Sequence, residues 1–215
     1  MTTVKNKASL SFPDPRWAET VDGIIAFGGE LTAENLKAAY RLGIFPWPHE
    51  GYPLLWFCPE QRGVIDFKDL HEPESFKKWR RKNSHLQVTW DQAFDQVIRE
   101  CQKQKRKNQN GTWITSEIVQ AYTDLHHQGE AHSLEVWENE SLVGGIYGVQ
   151  VNGYFSGESM FHKKTNTSKF ALWSLIQRLR AEKFEWLDIQ MVTSVSAQFG
   201  GKLIAKKEFL KRLTI

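Results

Sequence analysis

Hydrophobic and polar positions repeat with two different periods along this chain, and the switches between them lay out its elements. Phe94, Val97, Ile98 and Cys101 recur at i, i+3, i+4 and i+7, which predicts a helix within "DQAFDQVIRECQKQKRK". Leu172, Leu175, Ile176 and Leu179 repeat that spacing. They predict a helix from about Lys169 to Glu182, capped by Asn166, Thr167 or Ser168, with one face on a sheet. Three more helices are expected: Thr32 to Leu42 ended by Gly43, "ESFKKWRRK", and "TSEIVQAYTDLHHQG" opened by Thr115 or Ser116. Strand-like runs are "LQVTW", "HSLEVWE", "LVGGIYGVQV", "YFSGESMF" and "EWLDIQMV", with turns at Asn139-Glu140-Ser141 and Asn152-Gly153. A basic segment with room for a hairpin ends the chain. An antiparallel meander, then a helix, then another strand describes an α+β fold with a sheet covered by helices. The turn-rich stretches "FPDPRW" and "FPWPHEGYPLLW" set off a small N-terminal subdomain, residues 1–62, from a larger unit, residues 63–215.

Composition narrows the picture. The chain has 215 residues, 40% hydrophobic and 13% aromatic, enough for one core with a small appendage. No run of 18 apolar residues occurs, so no membrane-spanning helix is expected. The first residues lack the apolar core of a signal peptide. Cys58 and Cys101 form no CxxC pair and no metal-spaced cluster, which suits a reducing cytoplasm and leaves a disulfide open. No metal or cofactor is expected. A net charge of +3 would not by itself argue for nucleic acid. Its distribution says more: "KKWRRK", "RECQKQKRK" and the set Lys202, Lys206, Lys207, Lys211 and Arg212 are dense positive blocks. They read either as solvated helix faces or as a phosphate-binding surface.

The strand "WLDIQM" carries the most informative polar residues. Alternation puts Leu187, Ile189 and Met191 on one face and Trp186, Asp188 and Gln190 on the other. On a sheet covered on both sides, Asp188 and Gln190 would be buried and need partners. On an edge strand they would face water. Glu158 should lie on a neighbouring strand, sharing parity with Tyr154, Ser156 and Met160 unless Gly157 bulges. It is either an exposed strand residue or a carboxylate held in a pocket.

Seven motifs in order, "GIIAFGGELT", "RLGIFPW", "GTWIT", "AHSLEVW", "LVGGIYGV", "GESMF" and "LDIQ", resemble bacterial leucyl/phenylalanyl-tRNA–protein transferases. The resemblance runs from about residue 12 to 191. It implies a small N-terminal domain joined to a domain of the GCN5-related acetyltransferase fold. The implied reaction moves Leu or Phe, with Met as a third candidate, from aminoacyl-tRNA to the α-amine of proteins beginning with Lys or Arg. The product would be marked for Clp-dependent degradation. By motif, Trp47 and Trp113 would hold the terminal adenosine, although taken singly each also reads as core. Ile146, Phe155, Met160, Leu172, Leu175, Leu179 and Leu187 would line an apolar aminoacyl pocket. Glu158, Asp188 and Gln190 match the polar catalytic set, and Lys78, Arg81 and Lys82 the basic cluster near the tRNA acceptor stem. A monomer, with no membrane partner, is expected. For Phe155 and Glu158, of opposite parity, to reach one cavity, the strand should be irregular at Gly157.

The chain also departs from the pattern. Leu175 and Leu179 stand where Phe is usual, Val195 stands near the place of a His, and the C-terminus comes early. A coenzyme A-dependent acetyltransferase on the same fold is the rival enzyme. It needs a Gly-rich pyrophosphate loop before a helix, and the run Gln150 to Phe155 does not complete one. A non-enzymatic RNA-binding module would explain the basic blocks but not a buried "LDIQ" face.

Overall fold

The structure is a computed structural model and describes residues 2–3, 10–104 and 112–213. Its N-terminal part is a four-stranded sheet, β1 (Thr2–Thr3), β2 (Ile24–Phe27), β3 (Phe45–Pro46) and β4 (Leu55–Phe57), in the order β1-β2-β4-β3. Helix α1 (Ala33–Arg41) packs beside it, and its N-cap Thr32 accepts a hydrogen bond from the Asn35 N–H. The chain then enters a seven-stranded sheet through β5 (Gln61–Asp66). Around that sheet come α2 (Glu74–Lys82), β6 (Gln87–Trp90), α3 (Phe94–Lys103), α4 (Ser116–His127), β7 (Ala131–Glu138), β8 (Ser141–Val151) and β9 (Tyr154–His162). Helix α5 (Thr167–Ala181) and β10 (Trp186–Gln190) follow, then α6 (Ser194–Gln198), β11 (Lys202–Ala205) and α7 (Lys206–Arg212). The fold is α+β, with the larger sheet ordered β11-β5-β10-β9-β8-β7-β6.

Every pairing in this sheet is antiparallel except that of β9 with β10, which α5 joins as a crossover. Strand β10 therefore lies between β5 and β9, and its polar face is interior rather than wet. The hairpin at Asn152-Gly153 has φ of 46° and 76°, the left-handed pair that a tight two-residue turn requires. The run Gln150 to Phe155 thus forms the β8–β9 hairpin and precedes no helix. The hairpin expected in the basic C-terminal segment does not form. Thr193 and Ser196 cap each other's backbone and start α6, and β11 returns along β5 as the sheet edge.

Two apolar clusters lie on the two faces of the sheet. One joins the N-terminal part to the larger unit, with Ile25, Leu36, Tyr40 and Trp56 packed among Val97, Tyr122, Tyr147, Tyr154 and Phe209. The other sits under α5 and α2 and contains Ile146, Phe155, Leu172, Leu175, Leu179 and Leu187.

A bulge sets which face each β9 residue reaches. Tyr147 pairs with Ser159 and Gly148 with Gly157, so Glu158 is the extra residue. The irregularity falls one position beyond Gly157. It moves Met160 to the Phe155 face, opposite Ile146, which corrects the parity expected for Met160. The bulge depends on Gly148, because a Cβ there would come within 2.3 Å of both the Phe155 ring and the Ser156 carbonyl oxygen. Gly148→Ala is expected to destabilise the fold by about 1–3 kcal/mol through this overpacking. A chemical-denaturation midpoint equal to wild type would refute it.

Candidate active site

A buried ion pair anchors the polar face of β10. Arg62, at the start of β5, donates Nε to Asp188 Oδ1 at 2.8 Å and Nη2 to Oδ2 at 2.6 Å. Both side chains are fully buried. The guanidinium lies between the rings of Phe45 and Phe209, 4.6 and 4.5 Å from their centroids. Burial alone would lower the Arg62 pKa. The charge and hydrogen bonds of Asp188 outweigh it and raise the value, so Arg62 stays charged.

Asp188 receives two further donors, Ser156 Oγ at 2.8 Å and the Gln190 N–H at 3.0 Å. The second of these holds Gln190 at φ 57°, in the left-handed region, and ends the strand there. Gln190 Nε2 is thereby brought to Glu158 Oε1 at 2.6 Å. The other Glu158 oxygen accepts from the Tyr122 hydroxyl at 3.3 Å, and the Tyr122 and Tyr40 hydroxyls are 2.6 Å apart. Burial and the Glu158 charge raise both phenols well above their usual pKa, so both stay protonated. Tyr154 Oη in turn donates to the Tyr40 carbonyl at 2.5 Å.

Burial pushes Glu158 up to about 7. The Asp188 charge adds to that rise, while Arg62 and the hydrogen bonds of Tyr40 and Tyr122 oppose it. A small cavity of about 40 Å³ opens over this carboxylate, lined by Phe45, Pro46, Trp47, Trp113, Glu158 and Gln190.

The site residues expected from the sequence thus divide into three places. Trp47, Trp113, Glu158 and Gln190 share the cavity, and Asp188 lies behind Gln190. Ile146, Phe155, Leu172, Leu175, Leu179 and Leu187 are packed together in the second cluster, with Met160 against it. Lys78, Arg81 and Lys82 lie exposed on α2 and form no ion pair with a described residue. Among the described residues no group of three or more His, Cys, Asp or Glu could hold a metal ion.

A family model described as "Leucyl/phenylalanyl-tRNA protein transferase" matches residues 64–214, and the model of that protein's N-terminal domain matches residues 29–60. The chain belongs to the leucyl/phenylalanyl-tRNA protein transferase family. A leucyl/phenylalanyl-tRNA–protein transferase of Pseudoalteromonas atlantica is 44% identical over 206 residues, 95% of this chain and 87% of that protein. One from Flavobacterium johnsoniae is 44% identical over 204 residues, 95% of each chain. One from Pectobacterium carotovorum is 43% identical over 207 residues, 96% of this chain and 87% of that protein.

Within this family member, four polar residues of the network escaped the sequence reading. Arg62, Ser156, Tyr40 and Tyr122 all bond to Asp188 or Glu158. Arg62 left a usable signal, since a buried Asp188 needs a cation and Arg62 stands beside the apolar run of Gly63 to Ile65. Tyr122 left none, because with Ile118 and Leu125 it looks like an ordinary apolar helix stripe. The basic blocks also separate. Lys202 and Arg212 bind Asp66, and Lys206 binds Glu60, so much of the C-terminal block is engaged within the protein. Part of the "RECQKQKRK" block lies outside the described residues, and Lys103 within it pairs with Glu100. No helix among the described residues is long and apolar enough to cross a membrane.

Proposed function

We propose that this chain transfers Leu or Phe, with Met as a further candidate donor, from aminoacyl-tRNA to the α-amine of proteins beginning with Lys or Arg. The observation that carries this reading is one cavity in which two tryptophans face Glu158 and Gln190, in a chain of this family. Trp47 and Trp113 are the residues for the terminal adenosine, since an indole stacks on a base without reading its sequence. For the aminoacyl group we infer a place in the second apolar cluster, where Leu175 and Leu179 would set the size of the space. Discrimination between apolar donors there amounts to about 1–3 kcal/mol, so their use overlaps. Lys78, Arg81 and Lys82 take acceptor-stem phosphates. The protein acts as a cytoplasmic monomer, with a small N-terminal domain and a catalytic domain divided near Arg62. Its products become substrates for Clp-dependent degradation.

In the reaction the α-amine attacks the ester carbonyl carbon, an amide bond forms, and the bond to the adenosine oxygen breaks. An α-amine with a pKa near 8 is already partly neutral at pH 7, so positioning and proton removal are the needs. Asp188 is unsuited to take that proton, because four donors engage its oxygens beside a fixed cation. Its work is to hold Gln190 and Ser156. Glu158 is suited, with its value near 7 and its place in the cavity. It attracts the cationic N-terminus, takes a proton as the amine attacks, and returns it to the leaving oxygen. Gln190 orients the amine and the ester.

The test is transfer to two peptides. Incubated with leucyl-tRNA, the protein should extend a peptide beginning with Arg and leave one beginning with Ala unchanged. No transfer to Arg or Lys peptides from leucyl-, phenylalanyl- or methionyl-tRNA would overturn the reading.

A further inference from the structure

The β3–β4 connection carries Trp47, His49 and Tyr52, and only Trp47, in the cavity, has a role above. Trp47 lines the cavity and is pinned by its N–H to the Leu55 carbonyl at 2.9 Å. The His49 ring lies 5.7 Å from the Trp47 ring, with the planes 31° apart. A turn closed by the Tyr52 N–H on the His49 carbonyl, at 3.2 Å, then brings Tyr52 back beside His49. The ends of such a turn stay within about 7 Å of each other at Cα. Tyr52 is 70% exposed. Gly51, at φ 78°, has nothing within 4 Å of where a Cβ would stand, so the tip is open. Pro48 and Pro53 flank the turn and restrict the unbound loop. A lone exposed tyrosine needs no explanation. This one ends a turn whose other end, His49, is ring-paired with Trp47 of the cavity.

We propose that His49 and Tyr52 form a stacking track for the nucleotides that precede the terminal adenosine of the donor tRNA. The inference rests on the reading that Trp47 holds that adenosine. The 3′ end of a tRNA is single-stranded, so its bases are free to stack on aromatic side chains whatever their identity. The loop carries one acid, Glu50, and no Lys or Arg, so the contact is made through base faces rather than phosphates. Its strength should accordingly depend little on salt, unlike the contacts of α2.

Three donors separate the possibilities: aminoacyl-adenosine, an aminoacylated CCA trinucleotide, and full aminoacyl-tRNA. Tyr52→Ala should lower kcat/KM about tenfold for the trinucleotide and the tRNA, in the range for one stacked base, and leave aminoacyl-adenosine unchanged. Tyr52→Phe should restore the wild-type values, and the loss should persist at raised salt. Equal effects on all three donors, no effect on any, or failure of Phe to restore would each overturn the track. Wild-type transfer with unaffected Tyr52→Ala removes this inference alone. A wild-type protein that transfers from none of the donors removes the proposed function with it.

Discussion

Asp188→Asn is expected to lower the unfolding free energy by about 3–5 kcal/mol, because it leaves the Arg62 charge buried without its counter-ion. Arg62 cannot escape by losing its proton, and water does not reach it. Turnover should fall as well, since an amide keeps one acceptor oxygen where the carboxylate has two, and either the Gln190 N–H and Arg62 Nε or Ser156 Oγ and Arg62 Nη2 are left facing an NH2 group. The double variant Arg62→Met/Asp188→Leu separates the two effects. Replacing both partners by apolar residues should recover much of the stability, while activity stays low because Gln190 and Ser156 remain unheld. Urea unfolding with single-turnover kinetics measures both. If Asp188→Asn unfolds at the wild-type midpoint while turnover collapses, Asp188 is the proton acceptor and the assignment made for Glu158 is wrong.

The second large effect concerns Glu158. Transfer should fall as pH drops through about 7, following protonation of Glu158. Glu158→Gln should remove the Glu158 part of that limb, leaving the fall that protonation of the α-amine imposes, and cost about 10²- to 10⁴-fold in turnover. The same variant should be more stable at neutral pH. The folded carboxyl ionises near 7, against an ordinary value of 4.5, so between those values the unfolded chain gives up a proton that the folded one keeps. Native Glu158 therefore costs stability progressively from pH 4.5 to 7, and the cost is complete above pH 7. Glu158→Gln should gain up to roughly 3 kcal/mol at pH 8 and nothing near pH 4. Tyr122→Phe works in the opposite sense on the carboxylate, since it removes a donor to the charged form. The activity limb should then move to higher pH. The groups that face Glu158 are Tyr40, Tyr122, Tyr154, Asp188 and Arg62, so shifts must be compared with those residues intact. A Glu158→Gln variant that is both less active and less stable at pH 8 would reject the idea of a carboxyl held against its own preference.

The site is only partly legible in the sequence. The i, i+3, i+4 spacing of α3 and α5, the Asn152-Gly153 turn and the "WLDIQ" alternation are local. Each follows from one segment's need to bury a face, so the helices and the meander could be read from the chain, while β10 read equally as a covered strand or a wet edge until the sheet order placed it. The parity of Met160 could not be, because the bulge at Glu158 arises only when β9 pairs with Gly148 of β8. The C-terminal basic segment misled for a similar reason. Its lysines look free in sequence, and only the folded arrangement brings Asp66 and Glu60 to them.

The sequence by itself determined that this chain is an α+β protein with Asp188 and Gln190 on one face of a strand, and its ordered motifs pointed to the family. Tertiary structure alone decided what surrounds each of those residues. Arg62 lies 126 positions from Asp188, and Tyr122 lies 36 from Glu158. Nothing local records such meetings. Four donors tie up Asp188, while burial lifts Glu158 towards neutrality in the cavity. A carboxylate's chemistry is set by what surrounds it in space, and that surrounding exists only once the sheet has closed.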